Sequence, residues 1–481
     1  MLKSNIKKKL LSMNKSQIIL ILAISMVTVT CLMIYLQQSL ISVSYPFQLE
    51  YGEGFILDSA VLFSQGQSIY PPVTENSPKI ALYPPVYYCI YSIFINLFGI
   101  SFAWGRIISV LSAIIIGFLI FLIINKKTAN IKISVICLVI FLMSPAVYKW
   151  SSLARVDLLA LLFSFIGVYL IFRYKTDKIY LSAVFFTLSI FTKQSYFIAP
   201  IATFLYLFLK NQRRIAVKFL AFFVVLVFLV FFLFNSTSGG QFYIQTIKYN
   251  SVHEFSMERA INFIHLFVEQ NPIITFLSLS FLIGNVIKRK ISFLEIYFIL
   301  SILSLFLAGK IGSTNLYHLE AIAVACILSG FYIGRISRED NTTILVVILV
   351  AYFLVIPILQ NDTYEIKNWD LEVDRKMSVI IQNSRGRILS ENAGLLVLNN
   401  RSEDVFEFFV FTQLSKAEIW NQSCFINDIK NKEFKLIILY SNNKNRFTKE
   451  IMNATGENYV LWGKIGSKES RYNYYCYIPK G

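Results

Sequence analysis

Tyr83-Pro84-Pro85-Val86-Tyr87-Tyr88, continuing through an apolar run to Phe98-Gly99, is the stretch on which the fold turns. It is hydrophobic enough to read as a membrane crossing, and if it crosses, every later loop changes sides. The charges decide between the two readings. Lys126 and Lys127, then Arg173, Lys175 and Lys178, then Lys210, Arg213 and Arg214, then Lys288, Arg289 and Lys290, then Arg335 and Arg338 can all face the cytoplasm only if segment 84–99 stays on one side. A Pro-Pro start suits the first turn of a helix, where amide hydrogens have no partner. The segment therefore reads as a helix lying along the exported interface.

Composition agrees with a membrane chain. Of 481 residues, 56% are hydrophobic and 15% charged, with 43 Phe, a balance outside that of soluble globular domains. Apolar runs at 17–37, 105–124, 131–149, 156–173, a broken pair at 179–191 and 195–209, 215–235, 272–287, 291–309, 316–334 and 342–360 predict about eleven crossings, several shorter than a straight span needs. A net charge of +17 would suggest nucleic acid as partner of a soluble protein. Here the basic residues cluster at helix ends, so membrane partition explains them and no nucleic-acid partner is expected. Lys3, Lys7, Lys8, Lys9 and Lys15 precede a run too long for a signal peptide and without a small-residue cleavage site. That run reads as a retained first helix with a cytoplasmic N-terminus.

With this topology the exported face receives the loop Leu49-Glu50-Tyr51-Gly52-Glu53-Gly54, Arg155-Val156-Asp157, Lys193-Gln194, the 237–271 loop, and Asn315-Leu316-Tyr317-His318-Leu319-Glu320. It also receives everything after residue 360. The polar residues of interest converge on one side. Residues 361–481 differ in material, with charge and Asn throughout, and predict a small exported α/β domain beside a catalytic domain over 1–360. Strands are expected at Arg387–Ser390, Leu395–Leu398, Leu436–Tyr440 and Tyr474–Ile478, with helices over 402–416 and 445–455. No carboxylate in this tail matches a catalytic position, so it is expected to be separable from chemistry. Cys424 and Cys476 fall in it; an oxidising compartment permits a bridge, but sequence cannot give their separation.

A carboxylate at a water–membrane boundary suits general-base work, because burial lifts its pKa toward the useful range. Glu50 and Glu53 share one helix face, and Gly52 and Gly54 would let substrate approach the backbone. Taken alone, an acidic solvated loop is the plainer account. Arg155 and Asp157 open a helix at a depth where charge is costly unless paired or functional; an Asp complementing its helix N-terminus and a snorkelling Arg is equally consistent. Lys193-Gln194 interrupts an apolar hairpin. It reads either as a polar turn or as a cation and amide aimed at a phosphate. Tyr317, His318 and Glu320 begin a helix where hydrogen bonding to a sugar or carrier phosphate is expected. With three histidines in the chain, a His-based metal site is not indicated; a divalent metal is permitted but no ligand spacing calls for one.

On these residues the chain resembles the polytopic glycosyltransferases of the C-type (GT-C) fold, the group that includes protein O-mannosyltransferases and the bacterial enzyme adding aminoarabinose to lipid A. The shared plan is an acidic motif in the first exported loop, then Gly66 and Tyr70, a Pro84-Pro85 interfacial helix, and Phe98-Gly99 leading to Arg106. Bacterial members also carry segments similar to Arg155–Asp157, Lys193-Gln194 and Asn315–Glu320. The likeness covers most of 40–360 and, weakly, Leu389–Gly394 in the tail. It implies transfer of a hexose or pentose from a polyprenyl-phosphate donor to an acceptor at the exported face of a bacterial plasma membrane. It implies Glu53 as base ahead of Glu50, because Glu53-Gly54 before Asp58-Ser59-Ala60 aligns with the family's acidic residue. The family commonly places Asp first, and this chain does not. Arg155, Asp157, Lys193, Gln194, Tyr317, His318 and Glu320 carry over as donor-binding residues, with the acceptor (lipid, glycan or protein) unspecified.

Two rival classes share the helices. A flippase for lipid-linked glycans suits buried charges, but no symmetry between halves is visible and transport requires no carboxylate-rich first loop. A surface-glycan polymerase or ligase would place its chemistry in a later loop, here 237–271 with His253, Glu254, Glu258 and Arg259.

Overall fold

The computed structural model describes residues 15–74, 79–336, 368–440, 446–466 and 470–481. Val86–Phe98 is a helix of 13 residues starting after Pro85. It rises about 20 Å, short of the about 30 Å hydrocarbon core. One face, with Tyr87, Tyr88, Tyr91 and Ile95, is buried, while Ile93, Leu97 and Phe98 on the other are exposed. Two tyrosines lash it to the next helix, Phe102–Thr128: the Tyr87 hydroxyl donates to the Gly105 carbonyl at 3.0 Å and that of Tyr91 to Ser101 at 2.8 Å. These contacts hold the short helix at the end of a span.

Five helices among the described residues are long and apolar enough to cross a membrane: Leu22–Ser44, Phe102–Thr128, Asp157–Tyr174, Arg213–Thr237 and Asn315–Ile336. A sixth forms if Met257–Gln270 and Pro272–Ile287, bent by 97°, count as one. The other expected runs are shorter helices: Ile131–Met143, Ile179–Ile190, Ile198–Leu209 and Phe293–Gly309. The run expected over 131–149 is not continuous. It breaks at Ser144, after which Pro145 opens the separate helix Pro145–Trp150, because proline cannot donate to the preceding turn. The break anticipated at 191–195 is present. The run at 342–360 lies outside the described residues. At the ends bearing the basic clusters, Lys126 donates to the Arg173 carbonyl and Arg335 to the Asn285 side chain.

The C-terminal unit carries a four-stranded sheet, order β1-β2-β4-β3, from β1 (Arg387–Ser390), β2 (Phe434–Tyr440), β3 (Tyr459–Ile465) and β4 (Tyr474–Pro479). β1 and β2 are parallel and the other pairs antiparallel. Leu395–Leu398, expected as a strand, is helical within Ala393–Leu398: the Asn392 side chain caps its start by accepting from the Leu395 amide. An N-cap three residues upstream of a short apolar run outweighs strand propensity. The helices Asn368–Asn383 and Ser423–Lys430 and the strand β3 were not expected. No disulfide joins Cys424 and Cys476, and Cys476 lies 4.0 Å from the Met377 sulfur.

The C-terminal unit is not a separate bead. Its aromatic core, with Phe406, Phe411, Trp420 and Phe425, has Val73, Ile80, Leu82, Tyr249 and Val252 packed against it from outside the unit. Met377, Ile388, Leu395, Leu396 and Tyr474, in contrast, join the core that runs through the spanning helices.

Candidate functional site

The first loop is pinned from both sides. Glu50 caps the helix Tyr51–Ser64, and Glu53 closes a capping box by reaching back to the Glu50 amide at 3.3 Å, the reciprocal arrangement that satisfies orphan donors of a first turn. Glu53 is fully buried. Its carboxylate meets Arg106 twice, Nε on Oε1 and Nη2 on Oε2, both at 2.9 Å. The amides of Ala154 and Leu49 also donate to it, each at 2.7 Å. Arg106, equally buried, spends its remaining donors on the carbonyls of Ser42, Tyr45 and Phe47. Burial opposes the Glu53 charge, but Arg106 and the amides outweigh it and hold the group below the usual carboxylate range. A carboxylate this saturated and this acidic is a poor base. The geometry fits Glu53 to joining the first helix, the loop and the turn at 154 rather than to taking a proton.

Glu50 is different. Its side chain is 18% exposed; Oε2 accepts from the Gly52 amide at 2.9 Å and from Arg155 at 3.2 Å, while Oε1 accepts no hydrogen bond among the described residues. Burial raises its pKa, Arg155 lowers it and nearby Glu53 raises it, with a net upward direction. A Cβ on Gly52 would stand 1.8 Å from Arg155 Nη1, so the glycine makes room for the arginine. The space beside Gly54 is taken by Gln48 and the Gly394 amide. Neither glycine leaves its backbone open to substrate, contrary to the sequence expectation.

From Glu50 a chain of alternating charge runs inward. Arg155 Nη2 donates to the Tyr83 hydroxyl at 3.1 Å, and its Nε lies 3.8 Å from Asp157 Oδ2. Asp157 is buried and accepts from Lys193 through Oδ1. Lys193 in turn sits 5.0 Å over the Tyr317 ring. Lys193, Tyr317 and Glu320 line a small cleft together with Ser195, Tyr196, Ser304, Leu307 and Leu316. Glu320 is held there by the Tyr297 hydroxyl at 2.6 Å. The expected convergence of Glu50, Arg155, Asp157, Lys193, Tyr317 and Glu320 is thus present as one continuous arrangement.

Two expected donor-binding residues are used otherwise. Gln194 donates both its amide hydrogens to backbone, at Leu82 (3.1 Å) and Thr246 (3.0 Å), so it ties the segment before Pro84 to the 241–251 stretch. His318 is fully buried, edge-on to Phe263 and Phe267, and faces rings rather than the cleft. Its helix phase turns it away from Tyr317 and Glu320. In the 237–271 loop, His253 stacks on Phe409 and Arg259 donates to the Ser313 carbonyl. Among the described residues no group of three His, Cys, Asp or Glu could hold a metal.

The C-terminal unit completes the loop. Arg471 donates to the Gln48 carbonyl at 2.9 Å, the Tyr472 hydroxyl to that of Leu49 at 3.2 Å, and the Gly394 amide to the Gln48 side chain at 2.9 Å. Asp374 accepts from both Tyr45 and Tyr474 at 2.6 Å. Arg446 lies 4.0 Å over the Tyr51 ring and pairs with Glu391. The tail, expected to be separable from chemistry, is tied by these contacts to the first loop. Arg106 was marked by the resemblance but not as the partner of Glu53, and Arg471 and Asp374 had no local signal in the sequence, since each acts on partners far along the chain.

Residues 83–236 match the family model described as dolichyl-phosphate-mannose-protein mannosyltransferase. No curated protein matches the chain by sequence. Among solved structures, it is similar to ArnT from Cupriavidus metallidurans bound to undecaprenyl phosphate, with TM-score 0.65, 10% identity, and 93% of this chain and 97% of that one covered. The apo state of the same protein gives TM-score 0.63 and 12% identity over the same shares. The Archaeoglobus fulgidus oligosaccharyltransferase in complex with Zn and sulfate gives TM-score 0.50 and 11% identity, covering 92% of this chain and 72% of that one. The chain has the GT-C architecture of these proteins, which bears out the resemblance drawn from its motifs.

Proposed function

We propose that this chain is a membrane glycosyltransferase that takes a sugar from a polyprenyl-phosphate-linked donor and passes it to an acceptor at the exported face. One observation carries this reading: a half-buried carboxylate with an unengaged oxygen, Glu50, lies at one end of a charge chain whose other end, Lys193, opens on a cleft. The family match over 83–236 and the undecaprenyl phosphate bound by the structural relative support it. Glu50 takes the proton of an acceptor hydroxyl or amine as its heteroatom bonds to the anomeric carbon. The carbon–oxygen bond to phosphate breaks from the opposite face, so the configuration inverts. The departing polyprenyl phosphate carries the charge, and Lys193 meets it as a compact cation.

The 1–360 part supplies the reacting groups, and the C-terminal unit holds the loop that bears the base. Incubation of the purified chain with labelled polyprenyl-phosphate hexoses and pentoses tests the reading. Label leaving the lipid for acceptor or water is the expected result. Label that only changes leaflet in vesicles would instead establish the flippase.

A further inference from the structure

The charge chain has one loose joint. Asp157 divides its two oxygens between two cations: Oδ1 takes Lys193, whereas Oδ2 accepts no hydrogen bond among the described residues, with Arg155 Nε 3.8 Å away. Arg155 is in turn divided between Asp157, the Tyr83 hydroxyl and Glu50. Asp157 is therefore shared between two cations and Arg155 between two carboxylates, so that a change at one end can be passed toward the other.

We propose that Asp157 is a positioning residue that reports occupancy of the Lys193 cleft to Glu50: an anionic phosphate seated at Lys193 releases Asp157 to draw Arg155 away from Glu50. This deepens the functional reading above and rests on its placing the donor phosphate at Lys193. The step is electrostatic. A buried ammonium neutralised by a phosphate holds its carboxylate partner less tightly, and Asp157 Oδ2 has a guanidinium within reach to take up the difference. As Arg155 swings toward Asp157, Glu50 loses the opposite charge that favours its ionised form, so its proton affinity rises. The base is strengthened when a donor is present, and an empty enzyme keeps Glu50 quiet. The groups that face Glu50 are Arg155 from the turn before the Asp157–Tyr174 helix, Asp157 from the first position of that helix, Glu53 from the helix that Glu50 caps, and Tyr472 from the C-terminal unit. Of these, Arg155 alone is tied by ion pairs to both Glu50 and Asp157. Glu53 is locked by Arg106, and Tyr472 by the Leu49 carbonyl.

The test is an infrared pH titration of the full-length protein with and without undecaprenyl phosphate, binding being measured separately. The carboxyl band of Glu50 is identified as the one that vanishes in Glu50→Gln. Undecaprenyl phosphate should move the midpoint of that band up by about half to one pH unit, a fraction of the one to three units a neighbouring opposite charge imposes. Asp157→Asn should abolish the displacement while the lipid still binds. An unmoved midpoint in wild-type protein with lipid bound, or a displacement that persists in Asp157→Asn, overturns the proposal. Failure of the functional reading has a different mark: Glu50→Gln would transfer sugar at the normal rate whether or not the band moves.

Discussion

Glu53→Gln and Glu50→Gln make the sharpest pair of variants, because the two carboxylates stand three residues apart and should fail in opposite ways. In Glu53→Gln an amide replaces an oxygen that accepts from buried Arg106 or from a backbone amide. Arg106 remains fully buried with its charge unmatched. Removing one member of a buried pair costs about 3–5 kcal/mol, a large share of the about 5–15 kcal/mol that holds a typical protein. In a chain of this size that corresponds to a fall in melting temperature of about 3–5 °C. Glu50→Gln removes a charge that is only partly exposed and retains a cap acceptor, so the melting temperature should stay within about 1 °C. Sugar release from the labelled lipid should instead drop about a hundredfold or more, the scale of lost general-base catalysis. Thermal unfolding in detergent and single-turnover transfer measure the two effects separately. Wild-type melting of Glu53→Gln would refute the assignment of Glu53 to structure, and near-normal transfer by Glu50→Gln would remove Glu50 as the base.

Gly52→Ala should fold normally and lift the carboxyl midpoint of Glu50 even without lipid, as its Cβ displaces the flexible end of Arg155 from Glu50; an unmoved midpoint would show that Arg155 does not hold Glu50. Lys193→Ala should raise the donor KM far more than Lys193→Arg, because a charge at the phosphate matters even where its geometry is imperfect; equal donor use by the two variants would return Lys193 to a polar turn. Burial pushes Glu391 and Glu407 up to about 7, so the folded state binds more protons than the unfolded one between the ordinary carboxylate range and about 7. Stability should therefore fall as pH rises through that window, and Glu391→Gln with Glu407→Gln should flatten the melting-temperature profile. Arg471→Met should lower both stability and transfer by loosening Gln48 and Leu49; a variant normal in both would mean that the loop holds its shape without the C-terminal unit.

What could be read from sequence follows the range of the forces involved. The short helix after Pro85, the break around Lys193 and the strands at Arg387, Leu436 and Tyr474 are set by local pattern and turn chemistry, and they stand where expected. The convergence of Arg155, Asp157 and Lys193 was legible because charge in apolar surroundings must find a partner. The different surroundings of Glu50 and Glu53 were not legible, since the ion pair that engages Glu53 comes from Arg106, 53 positions away. Gln194 and His318 have the residue types of a binding site, but their partners, two backbone carbonyls and two phenyl rings, depend on helix phase and on segments far off in sequence.

Gln48 and Leu49 lie 423 positions from the Arg471 and Tyr472 groups that satisfy their carbonyls. During synthesis these residues emerge 423 positions ahead of their partners. The spanning helices encoded between them can therefore be in place while the first loop still lacks two of its donors. Its shape is thus set in time, by arrival of the segment that carries Arg471 and Tyr472. A ribosome halted between the two would leave that loop slack.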